Sequence, residues 1–287
     1  MPTATVNGIE THYEVHGTGT PVLFIHGGWG GPASSLVPQQ NVVADVLTDN
    51  TQLITYDRRS AGESQYVVDE FTVEDIAADA RALLEHLGIE RSTVIGHSMG
   101  GMVALQYALD YPEHVTGLCL AATGSNLMAS IDLGRMGSEL VERCRSDGDR
   151  AVFDSLKDQL RNPPPLATAE PRTPEMIQRL EERAAATLEV LKDISDDDLF
   201  GYWTGMVRNY NAFIGYDLAP RLGELKMPVL ILHGNADTIV PFEFGKAMED
   251  GIAKVDLREL DEIGHSVFDF PRGQDAIRTW VRNVRWL

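Results

Sequence analysis

The sequence predicts an α/β fold: a mostly parallel central sheet with flanking helices and a helical insertion over one end. Three observations carry this. Short apolar, β-rich runs alternate with helical patterns along the chain, as strand-helix-strand units require. The first two runs flank Asn7-Gly8, a strong hairpin turn signal. Between about Gly124 and Tyr216 the strands stop, charges rise and prolines interrupt helical stretches.

The elements follow in order. "TATVN" and "ETHYEVHG" form an antiparallel pair that opens the sheet. The remaining strands are "PVLFIHGG" from Pro21, "TQLITYD" from Thr51, "STVIGHS" from Ser92, "VTGLCLAATG" from Val115, "MPVLILHGNAD" from Met227 and "KVDLREL" from Lys254. The clearest helix is "FTVEDIAADARALLEHLGIE". Thr72 and Asp75 have capping-box spacing, Val73, Ile76, Ala77, Ala80, Leu83, Leu84 and Leu87 recur three and four apart, and Gly88 ends it. It delivers the chain into the strand before Ser98. The segment 124–216 is too apolar for a linker, with Met128, Met136, Tyr202, Trp203, Met206, Tyr210 and Phe213. It reads as a helical lid (cap) inserted between two strands, with 1–123 and 217–287 as the core domain.

The 287 residues carry a net charge of −19. Such a surface repels phosphate backbones and anionic membranes, which argues against a nucleic-acid or membrane partner. The N-terminus has neither a basic start nor an apolar run, and no stretch approaches a membrane span, so a cytoplasmic location is expected. Two cysteines, Cys119 and Cys144, do not make a disulfide framework. His12 and His16 stand four apart in a strand-like segment with no third ligand candidate, so no metal site is expected.

In "VIGHSMGG" the residues Gly96 to Gly100 match G-x-S-x-G, between an apolar strand and the helical "MVALQYALDYP". A sharp strand-to-helix turn needs small flanking residues and lifts the Ser98 hydroxyl above the sheet at a helix N-terminus. A serine hydroxyl needs a base to take its proton. Asp237, just past one strand, and His265, just past the next, supply an acid and a base in the order Ser, Asp, His. His233 is expected to be structural. Asp261 and Glu262 stand too close to His265 in sequence to orient it from a separate loop. An oxyanion needs aimed donors: the Met99 N–H, next after the serine, and Gly28 in "FIHGGWGGP", with Trp29 next best. The same loop, read as Gly28, Gly30 and Ala33, fits a dinucleotide fingerprint with an acid in "ITYDRR". Pro32 and Trp29 suit a pyrophosphate turn poorly, and that reading leaves Ser98, Asp237 and His265 unexplained.

With "HGGWGG", "YDRRSAGES", "GHSMGG", "HGNADTIVP" and Gly264-His265 in this order, nearly the whole chain resembles the α/β-hydrolase superfamily. The resemblance implies Ser98 as nucleophile, His265 as base then acid, Asp237 as its orienting carboxylate, and the N–H groups of Gly28 and Met99 as oxyanion hole. Members with aspartate at the elbow, such as epoxide hydrolases and haloalkane dehalogenases, are disfavoured by Ser98. Proline iminopeptidase-like enzymes share the "HGG" loop but often follow it with proline where this chain has Trp29. Ser60 stands where the family usually has glycine. The resemblance implies a serine hydrolase acting on a small-molecule ester or lactone without a cofactor, with Trp29 and Trp203 among the substrate-binding residues. Amide or carbon-carbon bond cleavage is the alternative on the same fold, and a ligand receptor with little turnover is the alternative of another class.

Overall fold

Asn7 and Gly8 both adopt positive φ, 49° and 75°, the backbone a two-residue hairpin turn requires. They join β1 (Thr3–Val6) to β2 (Ile9–His16) in an antiparallel pair. The computed structural model describes residues 2–31, 43–47, 50–128, 132–162 and 174–284. Six further strands complete one sheet: β3 (Thr20–Ile25), β4 (Thr51–Tyr56), β5 (Ser92–His97), β6 (Val115–Ala121), β7 (Val229–Gly234) and β8 (Val255–Leu260). The order is β1-β2-β4-β3-β5-β6-β7-β8, antiparallel at β1/β2 and β2/β4 and parallel at every later pair. The chain leaves β3 towards β4 on one side and returns to β5 on the other. The crevice beyond the carboxyl ends of β3 and β5 is therefore a topological switch point, where ligands bind in open α/β sheets.

Helix α1 (Val73–His86) starts at Thr72 with both halves of the capping box formed: Thr72 Oγ1 accepts from the Asp75 N–H, and the Asp75 carboxylate accepts from the Thr72 N–H. Its apolar stripe, Val73, Ile76, Ala77, Ala80, Leu83 and Leu84, is buried. Helix α2 (Met99–Asp110) is buried from Met99 to Leu109. Four helices follow between β6 and β7: α3 (Asp132–Asp147), α4 (Asp149–Arg161), α5 (Pro174–Asp193) and α6 (Asp196–Phe213). They hold an apolar cluster of their own, in which Val141, Val152, Phe153, Leu199, Trp203 and Val207 meet. Most of the proline-rich stretch between α4 and α5 lies outside the described residues. Helices α7 (Phe242–Glu249) and α8 (Pro271–Val284) complete the chain. The sheet has a core on each face: one with α1 and α2, the other with α8 through Ile277, Trp280 and Val281.

No described helix is long and apolar enough to cross a membrane. Cys119 and Cys144 are buried thiols. The two histidines of β2 have separate partners, His12 with Asp57 at 3.1 Å and His16 with Glu14 at 3.0 Å.

Candidate active site

Ser98 sits between β5 and α2 with φ 54° and ψ −127°, a conformation L-residues rarely adopt and one that costs about 1 to 3 kcal/mol. The surroundings hold it there. Its N–H donates to Ala121 O at 2.9 Å and its carbonyl accepts from Thr123 Oγ1 at 2.6 Å, both from the end of β6. Its side chain makes no helix-capping hydrogen bond and is half-buried. The glycines allow the turn by letting backbones touch. A Cβ on Gly27 would stand 2.9 Å from Ser98 Cβ, and one on Gly96 would stand 2.5 Å from Gly100 O. A Cβ on Gly100 would meet His26 O at 2.2 Å and Ile25 O at 2.3 Å, both backbone atoms of the neighbouring strand end. Backbone cannot swing aside, so Gly100→Ala is expected to destabilise the protein by about 3 kcal/mol, read from its urea midpoint.

His265 Nδ1 and Asp237 Oδ2 are 2.8 Å apart, joined across the loops that follow β8 and β7. Asp237 accepts three further contacts. Its Oδ1 takes the N–H of Ile239 at 2.9 Å and of Val240 at 2.8 Å. His233 Nε2, which donates to Val240 O at 2.8 Å, lies 3.4 Å from Asp237 Oδ2. Burial alone would raise the carboxyl. The hydrogen bonds from His233, His265 and the Val240 N–H outweigh it and hold Asp237 well below the usual carboxylate range. A carboxylate ionised in this way fixes the proton of His265 on Nδ1 and leaves the lone pair on Nε2.

His97, the residue before Ser98, connects the two halves. Its Nε2–H donates to His265 O at 3.0 Å and its ring lies 4.9 Å from the His265 ring. Burial, aided by the neighbouring His265, lowers His97 to about 3, so it is a neutral donor. His97 thus ties the loop of His265, and through it Asp237, to the turn that carries Ser98, and that turn abuts Gly27. Asp261 and Glu262 are exposed, and Asn235 binds the Asp261 carboxylate and the Glu262 N–H instead. His233 is fully buried on β7, against the Asp237 turn.

In the loop after β3, Gly28 is exposed and Trp29 half-buried. Trp29 stacks on Tyr210 with centroids 4.7 Å apart and meets Phe213 edge-on at 5.6 Å, so α6 closes over this loop. Met99 is buried in the core beside α1, and as the first residue of α2 its N–H has no intrahelical acceptor. Trp203 does not join Trp29. It is 3% exposed and packs on Phe153 and Phe200 inside the cluster of the inserted helices. Ser60 has φ 57°, the left-handed conformation that explains a glycine preference here. Its Oγ accepts from the Val67 N–H at 2.9 Å, and a Cβ on Gly205 of α6 would stand 2.7 Å from Ser60 Cβ. The acid of "ITYDRR", Asp57, is buried and committed to His12, to the Glu63 N–H and, through its carbonyl, to Ser64. It is not offered to a ribose. Ala33 of the dinucleotide fingerprint lies outside the described residues.

Two residues escaped the sequence reading. Arg58 is fully buried and donates through Nη2 to Gly28 O at 2.7 Å and through Nη1 to Asn209 Oδ1 at 3.3 Å. Asn209, on α6, is also fully buried. The signal available was the first basic residue of "YDRRSAGES", two positions past the end of a buried strand.

A family model described as alpha/beta hydrolase fold matches residues 20–271. The "Putative carbamate hydrolase RutD" of Azorhizobium caulinodans is 27% identical over 270 residues, 93% of this chain and 92% of that protein. The 2-hydroxy-6-oxo-6-phenylhexa-2,4-dienoate hydrolase of Comamonas testosteroni is 26% identical, over 88% of this chain and 84% of that protein. Among solved structures, a thermophilic esterase from Thermogutta terrifontis superposes with a TM-score of 0.71 at 26% identity, covering 99% of this chain and 98% of that one.

Proposed function

The chain belongs to the alpha/beta hydrolase fold family, and from that premise we propose a serine hydrolase that cleaves a small carboxylic ester or lactone through an acyl-enzyme. The observation that carries this is the 2.8 Å pair of His265 Nδ1 and Asp237 on loops beside a serine held at φ 54°. In this reading His265 Nε2 takes the Ser98 Oγ proton as Oγ attacks the substrate carbonyl carbon. The N–H groups of Gly28 and Met99 receive the oxyanion. His265 returns the proton to the leaving oxygen, the carbon-oxygen bond breaks, and the acyl-enzyme remains. Water, deprotonated by the same Nε2, attacks the acyl carbon, and the acid departs with Ser98 Oγ reprotonated. Asp237 stabilises the imidazolium formed in each half.

The inserted helices serve as a lid, and Trp29, backed by Tyr210 and Phe213, lines the acyl or alcohol pocket beneath it. Trp203 braces the lid from within and does not touch substrate. An ester reading accords with the Thermogutta terrifontis esterase, and the relatives named for carbamate and carbon-carbon bond hydrolysis define the competing substrates.

The test is a panel of short acyl esters, lactones, carbamates, aminoacyl amides and vinylogous diketones, run on the wild type and on Ser98→Ala with an intact-mass search for a serine adduct. Turnover of esters or lactones that vanishes with Ser98 supports the proposal. Ser98-dependent turnover confined to carbamates, amides or carbon-carbon bonds moves the substrate class. Tight ligand binding with turnover no faster than Ser98→Ala overturns the enzyme reading in favour of a receptor.

A further inference from the structure

Arg58 is an expensive residue to bury. It is fully buried, and the carboxylate that acts on it, the neighbouring Asp57, takes its own hydrogen bonds from His12 and the Glu63 N–H, so the cation is desolvated without a direct ion pair. Desolvation lowers it only to about 10, so it remains a cation at neutral pH.

Its Nη2 faces the backbone carbonyls of one short loop. Nη2 binds Gly28 O at 2.7 Å and reaches Gly27 O at 3.5 Å. His26 adds a second tie: its Nδ1–H donates to Gly27 O at 2.6 Å, while its Nε2 accepts the Arg58 backbone N–H at 3.3 Å. The Gly27 and Gly28 carbonyls are therefore both held on the Arg58 side. No peptide bond among the described residues is cis. In a trans peptide the N–H points opposite the C=O, so the N–H groups of Gly28 and Trp29 point away from the guanidinium. Gly27 is already against Ser98. A cation on the carbonyl side of a peptide also polarises it, making the opposite N–H a stronger donor.

Nη1 points into the lid, while Nε has no hydrogen-bond partner among the described residues. Arg58 Nη1 binds Asn209 Oδ1, and Asn209 Nδ2 donates to Gly205 O at 3.0 Å, which fixes which end of the amide faces the arginine. A Cβ on Gly30 would stand 2.7 Å from Asn209 Nδ2, so helix α6 and the loop are in contact at this point.

We propose that Arg58 is a positioning residue for the oxyanion hole: it aligns and polarises the Gly27-Gly28-Trp29 peptides, and through Asn209 it makes that alignment depend on the seating of helix α6. The proposal rests on the acyl-transfer reading above and adds a device that turns the lid into part of the electrostatic site.

The test uses a probe that needs no natural substrate. An alkyl fluorophosphonate places its phosphoryl oxygen where the oxyanion sits, Ser98 Oγ bonds to phosphorus, fluoride leaves and His265 takes the proton. Phosphonylation rates by intact mass, kcat and KM for p-nitrophenyl acetate, and melting temperatures would be measured for wild type, Arg58→Met, Arg58→Lys and Asn209→Ala. Arg58→Met is expected to be phosphonylated about 100-fold more slowly, with kcat down by a similar factor and KM within about threefold. Arg58→Lys, a point charge without the fork, should recover about tenfold of that loss, and Asn209→Ala should lose about fivefold. Phosphonylation of Arg58→Met within twofold of wild type would overturn the proposal, as would losses that appear in KM alone or follow melting temperature. Should Arg58→Met fail to fold, Arg58→Lys and Asn209→Ala decide on the same criteria. A wild type that is not phosphonylated at Ser98 overturns the acyl-transfer reading itself, which a labelled wild type with indifferent variants would leave standing.

Discussion

Replacement of Ser98 by alanine is expected to lower kcat on the best substrate of the panel by about 10⁴ to 10⁶-fold, with a melting temperature close to that of the wild type. The two halves of this expectation have separate causes. Catalysis falls because Oγ is the atom proposed to form the acyl bond, and no other hydroxyl occupies the strained turn between β5 and α2. Stability holds because the hydroxyl makes no capping bond, while the backbone groups of residue 98 keep their partners Ala121 and Thr123. A surface-like change of one oxygen is worth about 0.5 kcal/mol or less. Steady-state kinetics and a thermal melt on the same preparation check both. A Ser98→Ala protein retaining a tenth of wild-type turnover would place the nucleophile elsewhere.

Asp237→Asn is expected to lower kcat at neutral pH by about 10⁴-fold. The reason lies in the two N–H groups of Ile239 and Val240 that point at Oδ1. They hold the amide oxygen of an asparagine in that position, so its NH₂ group must face His265 Nδ1. A donor there forces the imidazole proton onto Nε2, the atom that has to accept from Ser98. The same NH₂ faces His233 Nε2, whose hydrogen is already directed at Val240 O, so the variant loses stability as well.

The stability difference is predicted to depend on pH. Asp237 has a folded-state pKa depressed below its ordinary value of 3.8. Its contribution is fully present above that value and is lost as pH falls from there towards the folded-state pKa. Urea unfolding of wild type and Asp237→Asn at pH 7, 5 and 3 should show a constant gap between the first two and a smaller one at the last. A gap that widened on acidification would contradict the assignment.

Much of the frame of this site was legible because it is written in short-range pattern. The capping box of Thr72 and Asp75, the Asn7-Gly8 turn and the alternation of strand and helix are all decided within a few residues, and each formed as read. The placement of Ser98, Asp237 and His265 past strand ends was legible for a related reason: each follows a strand whose end could be seen, and parallel strands in one sheet gather their carboxyl ends. The Arg58 to Asn209 contact could not be read in this way, because its partners are 151 residues apart and the second is on a helix of an insertion whose seating no local pattern fixes. The two tryptophans show the same limit. Trp29 and Trp203 are equally apolar in sequence, but one lies under α6 against Tyr210 and the other is turned into the cluster with Phe153, a choice made by helix packing. Ser60 was visible as a departure, but its left-handed backbone and its contact with α6 belong to the tertiary structure.

That contact has an evolutionary consequence. Ser60 Cβ and Oγ, together with Tyr66 Cδ1, fill the space that a side chain at position 205 would need, so the hydrogen of Gly205 is all that fits between loop and helix. Positions 60 and 205 are therefore not independent in the history of such a chain. Serine at 60 closes alanine at 205, whereas glycine at 60 would remove the two nearest atoms and leave Tyr66 Cδ1, 3.0 Å from a Cβ at 205, as the neighbour that must still give way.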